Sequence, residues 1–143
     1  MGYFSAFDIS GSGMAVQKVK LDTVALNLAN VNTTRSNSGG PYQPLEVIIS
    51  ERMDARFETL FSGYAHQQTG AQVIDIQPRV AKPRMVFDPQ HPDANKDGYV
   101  AYPDINPVSE MVDLMEATRA YEANVRAINA AKTMALHALE IGD

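Results

Sequence analysis

Residues 106–142 read NPVSEMVDLMEATRAYEANVRAINAAKTMALHALEIG, and this stretch decides the fold. Asn106 suits a helix N-cap, because its side-chain oxygen can accept a free N–H of the first turn. Pro107 suits the first helical position, where its missing N–H costs nothing. The 34 residues from Val108 to Ile141 contain neither Gly nor Pro and are rich in Ala, Met and Leu, which favour helix. Gly142 is a natural stop. The stretch therefore reads as one helix on the order of 50 Å long. Its apolar positions step by three and four through Met111, Leu114, Thr118, Tyr121, Val125, Ile128, Ala135 and Leu139, a seven-residue repeat of the coiled-coil kind. Lys132 interrupts that seam, while Ala117, Ala131 and Ala138 widen it and allow close helix approach. Glu122 and Arg126 stand four apart in the favourable order, worth a few tenths of a kcal/mol.

The N-terminal stretch carries a second pattern of the same kind: Phe7, Ser10, Met14, Gln17, Leu21, Val24, Leu28 and Val31, widened by Ala25 and Ala29. It runs into Asn30-Val-Asn-Thr-Thr34 and then Arg35-Ser-Asn-Ser-Gly-Gly-Pro41, where Asn, Ser and Gly compete with helical bonding. The helix should end near Asn32. Gly11 and Gly13 weaken its first part, so residues before about 14 should be helical only with outside support.

All eight prolines lie between Pro41 and Pro107, and the stretch between the helices reads as β. Pro44-Leu-Glu-Val-Ile-Ile-Ser50 is a β-branched run, and Gln72-Val-Ile-Asp-Ile-Gln77 alternates in part. Arg84-Met-Val-Phe87 and Tyr99-Val-Ala-Tyr102 are short strands bounded by Pro, Asp and Gly. Residues 52–71 are polar around Phe57, Leu60, Phe61 and Tyr64 and read as a long loop. The expected fold is α+β: an N-terminal helix in 1–34, a β-rich module in 35–106 and a C-terminal helix in 107–143, with the two helices paired as a coiled coil. A small module between two long amphipathic helices cannot cover both stripes, so such a chain is built to join neighbours.

Composition excludes several function classes. The 143 residues carry a net charge of −5, without the basic stripe of a nucleic-acid binder. No Lys/Arg run suits an anionic membrane, and no stretch approaches the roughly 18 apolar residues of a membrane span. With no cysteine there is no disulfide framework, thiol nucleophile or Cys-zinc site. The first eight residues lack the basic region of a secretory signal.

Chemical motifs are sparse. Residues 93–104 resemble an EF-hand loop through Asp93, Asn95, Asp97, Gly98 and Val100, with Asp104 where Glu is usual. Pro89, Pro92 and Pro103 oppose the flanking helices such a site needs, which favours an Asn/Asp/Gly turn leading into a strand. His66, His91 and His137 show no metal-ligand spacing, and no serine sits in a nucleophile elbow. Neither an enzyme nor a cofactor is expected.

One resemblance emerges from these residues. Ala25-Leu-Asn-Leu-Ala-Asn-Val-Asn-Thr33 resembles the N-terminal signature of bacterial flagellar axial proteins. Gly98-Tyr-Val-Ala-Tyr-Pro-Asp-Ile-Asn106, Glu110-Met-Val-Asp-Leu-Met115 and Arg119-Ala-Tyr-Glu-Ala-Asn124 narrow it to a resemblance to basal-body rod proteins of the FlgC type. The resemblance implies a structural subunit of the proximal rod, the drive shaft that crosses the periplasm. It implies export through the flagellar type III apparatus without a cleaved signal, and terminal helices that are poorly ordered in the free monomer and fold on assembly. The implied partners are copies of the chain and other proximal and distal rod proteins, together with the rod-base adaptor; nucleic acid and membrane insertion are not implied. The assembly interface would fall on Met14, Leu21, Val24 and Leu28, with Asn27, Asn30 and Asn32 capping the first helix and bonding across helices. On the second helix it would use Met111, Leu114, Tyr121, Asn124, Val125, Ile128 and Leu139. A sibling axial protein is the nearest alternative, and a calcium-binding module at 93–104 a more distant one.

Overall fold

The computed structural model describes residues 3–37, 39–53 and 68–140. Two helices dominate it: α1, Tyr3–Ala29, and α2, Pro107–Glu140. The start of α2 follows from its cap. The Asn106 side-chain oxygen accepts the Val108 N–H at 3.0 Å and the Ser109 N–H at 3.4 Å, and its carbonyl accepts the Glu110 N–H at 3.0 Å. At the same end of the pair, α1 stops at Ala29, short of Asn32. The Asn30 side-chain amide donates to the Leu26 carbonyl at 2.9 Å, and the Thr33 hydroxyl donates to the Asn30 side chain at 3.1 Å. The final turn is thus closed by side chains, and α1 is helical from Tyr3 despite Gly11 and Gly13.

The helices run antiparallel. Asn27 meets Glu110 near one end of the pair, and Gly13 meets Asn124 further along. The separation along each helix is the same, so one register holds across about 21 Å. A side-chain carbon at Gly13 would sit 3.0 Å from the Asn124 amide nitrogen, so the glycine that weakens α1 locally also lets the helices approach. Lys20 falls level with Ala117 in this register.

The buried side of α2 differs from the sequence expectation along one line. Leu114, Tyr121, Ile128 and Ala135 are half-buried, as the repeat requires. The second line is Glu110, Ala117, Asn124 and Ala131, one residue earlier than Met111, Thr118, Val125, Lys132 and Leu139. Met111 and Leu139 are exposed, Val125 lies half-buried at the margin, and Lys132 points outward and interrupts nothing.

The β module consists of two antiparallel two-stranded sheets. In the first, β1, Leu45–Met53, pairs with β2, Gln68–Pro78, with Leu45 opposite Pro78 and Met53 opposite Gln68. Ile74 is the extra residue of a bulge where the register shifts between Ile48 and Ile49. The ladder extends at both ends into the stretch expected as loop 52–71; the remainder of that expectation, residues 54–67 with their four aromatic or apolar side chains, lies outside the described residues. The second sheet joins β3, Arg84–Phe87, to β4, Tyr99–Tyr102. Val100 of β4 is fully buried, and Phe87 meets Tyr99 edge to face at 5.3 Å between ring centres.

The first hairpin is fastened to α1. Ser12 accepts the Ala71 N–H at 3.1 Å and donates to the Ile9 carbonyl at 2.8 Å. Gly70 has φ +97°, and a side-chain carbon there would fall on the Ser12 hydroxyl. The core is thin: among the described residues its buried apolar side chains are Val16, Val24, Val100, Ile105, Ala117 and Ala131, with the rings of Pro44 and Pro103.

Candidate assembly site

A polar cluster forms where α1 ends, β1 begins and α2 begins. Asn27 is 3% exposed and uses all its hydrogen-bonding capacity there. Its amide nitrogen donates to the Leu45 carbonyl at 2.9 Å and to Glu110 Oε2 at 3.3 Å. Its oxygen accepts the Leu45 N–H at 2.8 Å and the Tyr42 hydroxyl at 3.0 Å. The Asn27 side chain thus pairs with the backbone of Leu45 as a neighbouring strand would, satisfying the first residue of β1.

Glu110 is 5% exposed, in the first turn of α2, where the N-terminal helix dipole favours a carboxylate. Burial, and after it the charge of Glu110, pushes the Tyr42 phenol above its ordinary pKa of 10.0. A groove of about 240 Å³ opens beside this cluster, lined in part by Lys20, Thr23, Glu110, Asp113 and Arg79. The cluster contains no nucleophile activated by a base. It locks two helices and a sheet to one point, which is a mechanical arrangement.

The anticipated interface residues fall into three groups. Val24 and Asn27 are buried in the cluster region. Met14, Leu21, Leu28, Leu114, Tyr121, Asn124, Val125 and Ile128 are half-buried along the helix pair, with Asn30 closing the end of α1. Asn32, Met111 and Leu139 are exposed. Among the described residues Asn32 makes no side-chain hydrogen bond, so the capping and cross-helix roles fall to Asn30 and Asn27 respectively.

Sequence reasoning missed Glu110, Tyr42 and Leu45. The signal available for Glu110 was its seven-residue spacing from Ala117, Asn124 and Ala131, which an apolar-only search passes over.

The EF-hand-like stretch is folded as a turn. Asn95 accepts the Asp97 and Tyr99 N–H groups at 2.9 Å each, Gly98 has φ +80°, and β4 starts at Tyr99. Asp93 accepts the Thr34 hydroxyl at 2.8 Å and lies 3.9 Å from the Arg35 guanidinium, tying this turn to the segment after α1. Among the described residues no three His, Cys, Asp or Glu side chains gather to hold a metal ion. No described helix is long and apolar enough to cross a membrane.

Comparison with known proteins agrees with this architecture. Residues 7–35 match the family described as flagella basal body rod protein, and residues 96–141 match the C-terminal family of flagellar basal body rod FlgEFG proteins. The chain is 39% identical to the flagellar basal-body rod protein FlgC of Bacillus subtilis, over 99% of each chain. It is 36% identical to the FlgC of Borreliella burgdorferi, over 99% of this chain and 98% of that one. The FlgC of Salmonella typhimurium is also 36% identical, over 99% of each. Asn27 and Glu110 each lie within these full-length matches, and the chain belongs to the FlgC family of flagellar basal-body rod proteins.

Proposed function

We propose that this chain is a structural subunit of the proximal flagellar rod, the shaft that carries motor torque across the periplasm. It is a structural protein of the basal body and not an enzyme. A torque-bearing shaft needs stiff elements and shared interfaces in place of a pocket. The observation that carries this reading is the antiparallel helix pair locked to the β module through Asn27 and Glu110.

A second observation supports it. Sixteen large hydrophobic side chains are exposed among the described residues, several of them on the long helices, far more than the few that are buried. Such surface is characteristic of a subunit awaiting neighbours. Contacts repeated heterologously without closing generate a helical tube.

In this proposal the helix pair lies in the inner layer of the rod and the β module outside it. The neighbours are copies of the chain, other proximal and distal rod proteins and the rod-base adaptor. The subunit arrives through the flagellar type III apparatus without a cleaved signal, and its helices order fully on assembly.

Tyr121, Val125 and Ile128 take part in the helix contacts of the assembled rod. Val125→Asp should abolish swimming and rod assembly while expression and export persist. Normal swimming by that variant would contradict this placement. A sibling position within the rod is the remaining alternative, decided by locating the tagged subunit in purified basal bodies.

A further inference from the structure

The outer face of α1, turned away from both α2 and the hairpin, has a distinctive order. Reading back from its C-terminal end, it presents Ala29, Leu26, Asp22 and Lys18, all exposed, with Leu26 51% exposed. The outer face of α2, reading forward, presents Val112, Met115, Arg119 and Glu122, likewise exposed. These residues are spaced by three and four on each helix, so each set forms one stripe.

Set antiparallel, the two stripes match in step over their first three positions. Ala29 falls level with Val112, and Leu26 with Met115, giving two apolar pairs. One turn further Asp22 falls level with Arg119, and a turn beyond that Lys18 lies one residue from level with Glu122, within reach of its long side chain, giving two pairs of opposite charge. Asp22, Lys18 and Arg119 form no ion pair among the described residues, and Glu122 has only the long 3.7 Å contact to exposed Arg126 on its own helix. Within one chain the stripes cannot meet, because α1 and α2 already face each other through Asn27, Glu110, Gly13 and Asn124.

We infer that the outer stripe of α1 is the docking surface for the outer stripe of α2 from a second copy of this chain, with Leu26 against Met115 and Asp22 against Arg119. The inference rests on the proposed place in the rod and names the contact made there. The intermolecular register is displaced by four residues from the intramolecular one, about 6 Å along the axis. Each added copy therefore climbs by about one helical turn, so the contact is heterologous and does not close on itself.

The chain has no cysteine, which makes a direct test clean. Leu26→Cys and Met115→Cys are introduced together, and basal bodies are isolated under mild oxidation. The expected result is a disulfide-linked ladder at multiples of the subunit mass, absent from either single variant and from Leu26→Cys paired with Arg119→Cys. Subunit present in the basal body but wholly uncross-linked would overturn the inference while leaving the rod role intact. Absence of the unmutated subunit from basal bodies would overturn the rod role itself.

If the double-cysteine subunit does not incorporate, charge reversal decides. Asp22→Arg and Arg119→Asp should each cause loss of swimming, and the two together should restore it. A double variant no better than either single one would overturn the pairing.

Discussion

Asn27 and Glu110, 83 residues apart in sequence, are joined by a buried hydrogen bond of 3.3 Å. The same asparagine also binds both backbone groups of Leu45, so one side chain fixes the crossing of α1, β1 and α2. A neighbour that pushes on either helix pushes on the β module through this point.

Removing the asparagine should therefore be costly. Asn27→Ala strands the Leu45 backbone groups and the Glu110 carboxylate in a buried site, a loss of about 2–4 kcal/mol. Glu110→Gln keeps an acceptor for the Asn27 amide and should cost less than about 1 kcal/mol. Urea denaturation of the two variants checks the order; equal losses would deny the junction its role.

A different outcome is expected where Gly13 of α1 meets Asn124 of α2. Gly13→Ala gains about 1 kcal/mol of helix propensity, yet places a carbon 3.0 Å from the Asn124 amide. The single variant should be neutral or destabilised, whereas Gly13→Ala combined with Asn124→Ala should recover the propensity gain. A double-mutant cycle measures that coupling; strict additivity would mean the helices do not meet there.

The hairpin attachment is vulnerable at Gly70. Its φ of +97° disfavours any side chain, and the added carbon would displace the Ser12 hydroxyl that holds Ala71. Gly70→Ala should destabilise the chain by about 1–3 kcal/mol and raise amide exchange at Ala71. Unchanged exchange at that amide would argue against the clasp.

Alkaline pH probes the same junction from another side. Because the Tyr42 phenol titrates above 10.0 in the folded chain, the unfolded chain ionises it first as pH rises. Stability contributed by the neutral phenol is complete below about pH 10 and is lost as pH climbs through the folded value. Tyr42→Phe should lower stability at neutral pH by removing the bond to Asn27, and should also flatten the alkaline decline. Parallel declines for both proteins in thermal melts would contradict this.

Much of the fold could be read in the sequence, and the exceptions have physical causes. Asn106 and Pro107 marked the start of α2 because capping is local chemistry. Leu114, Tyr121 and Ile128 marked one line of its buried side because apolar spacing reports burial. On the other line Ala117 and Ala131 were legible as small residues that widen the seam and Asn124 through the family signature, whereas Glu110 escaped because it is polar. Its burial depends on partners from α1 that spacing along α2 cannot reveal. The hairpin ran further than its β-branched runs, since Gln68 and Gly70 enter the ladder through backbone bonding and a clasp from Ser12. The junction itself was half legible: Asn27 stood inside a recognisable signature, whereas its bonds to Leu45 and Glu110 are consequences of the folded chain.

A cryo-EM map of the intact basal body decides whether this chain is a rod subunit whose helices pair antiparallel through Asn27 and Glu110. The expected map places the subunit in the proximal rod, with its helix pair in the inner layer, Asn27 against Glu110 and the β module outside. A rod in which this subunit is missing, or in which its two helices are separated at Asn27, would contradict the account.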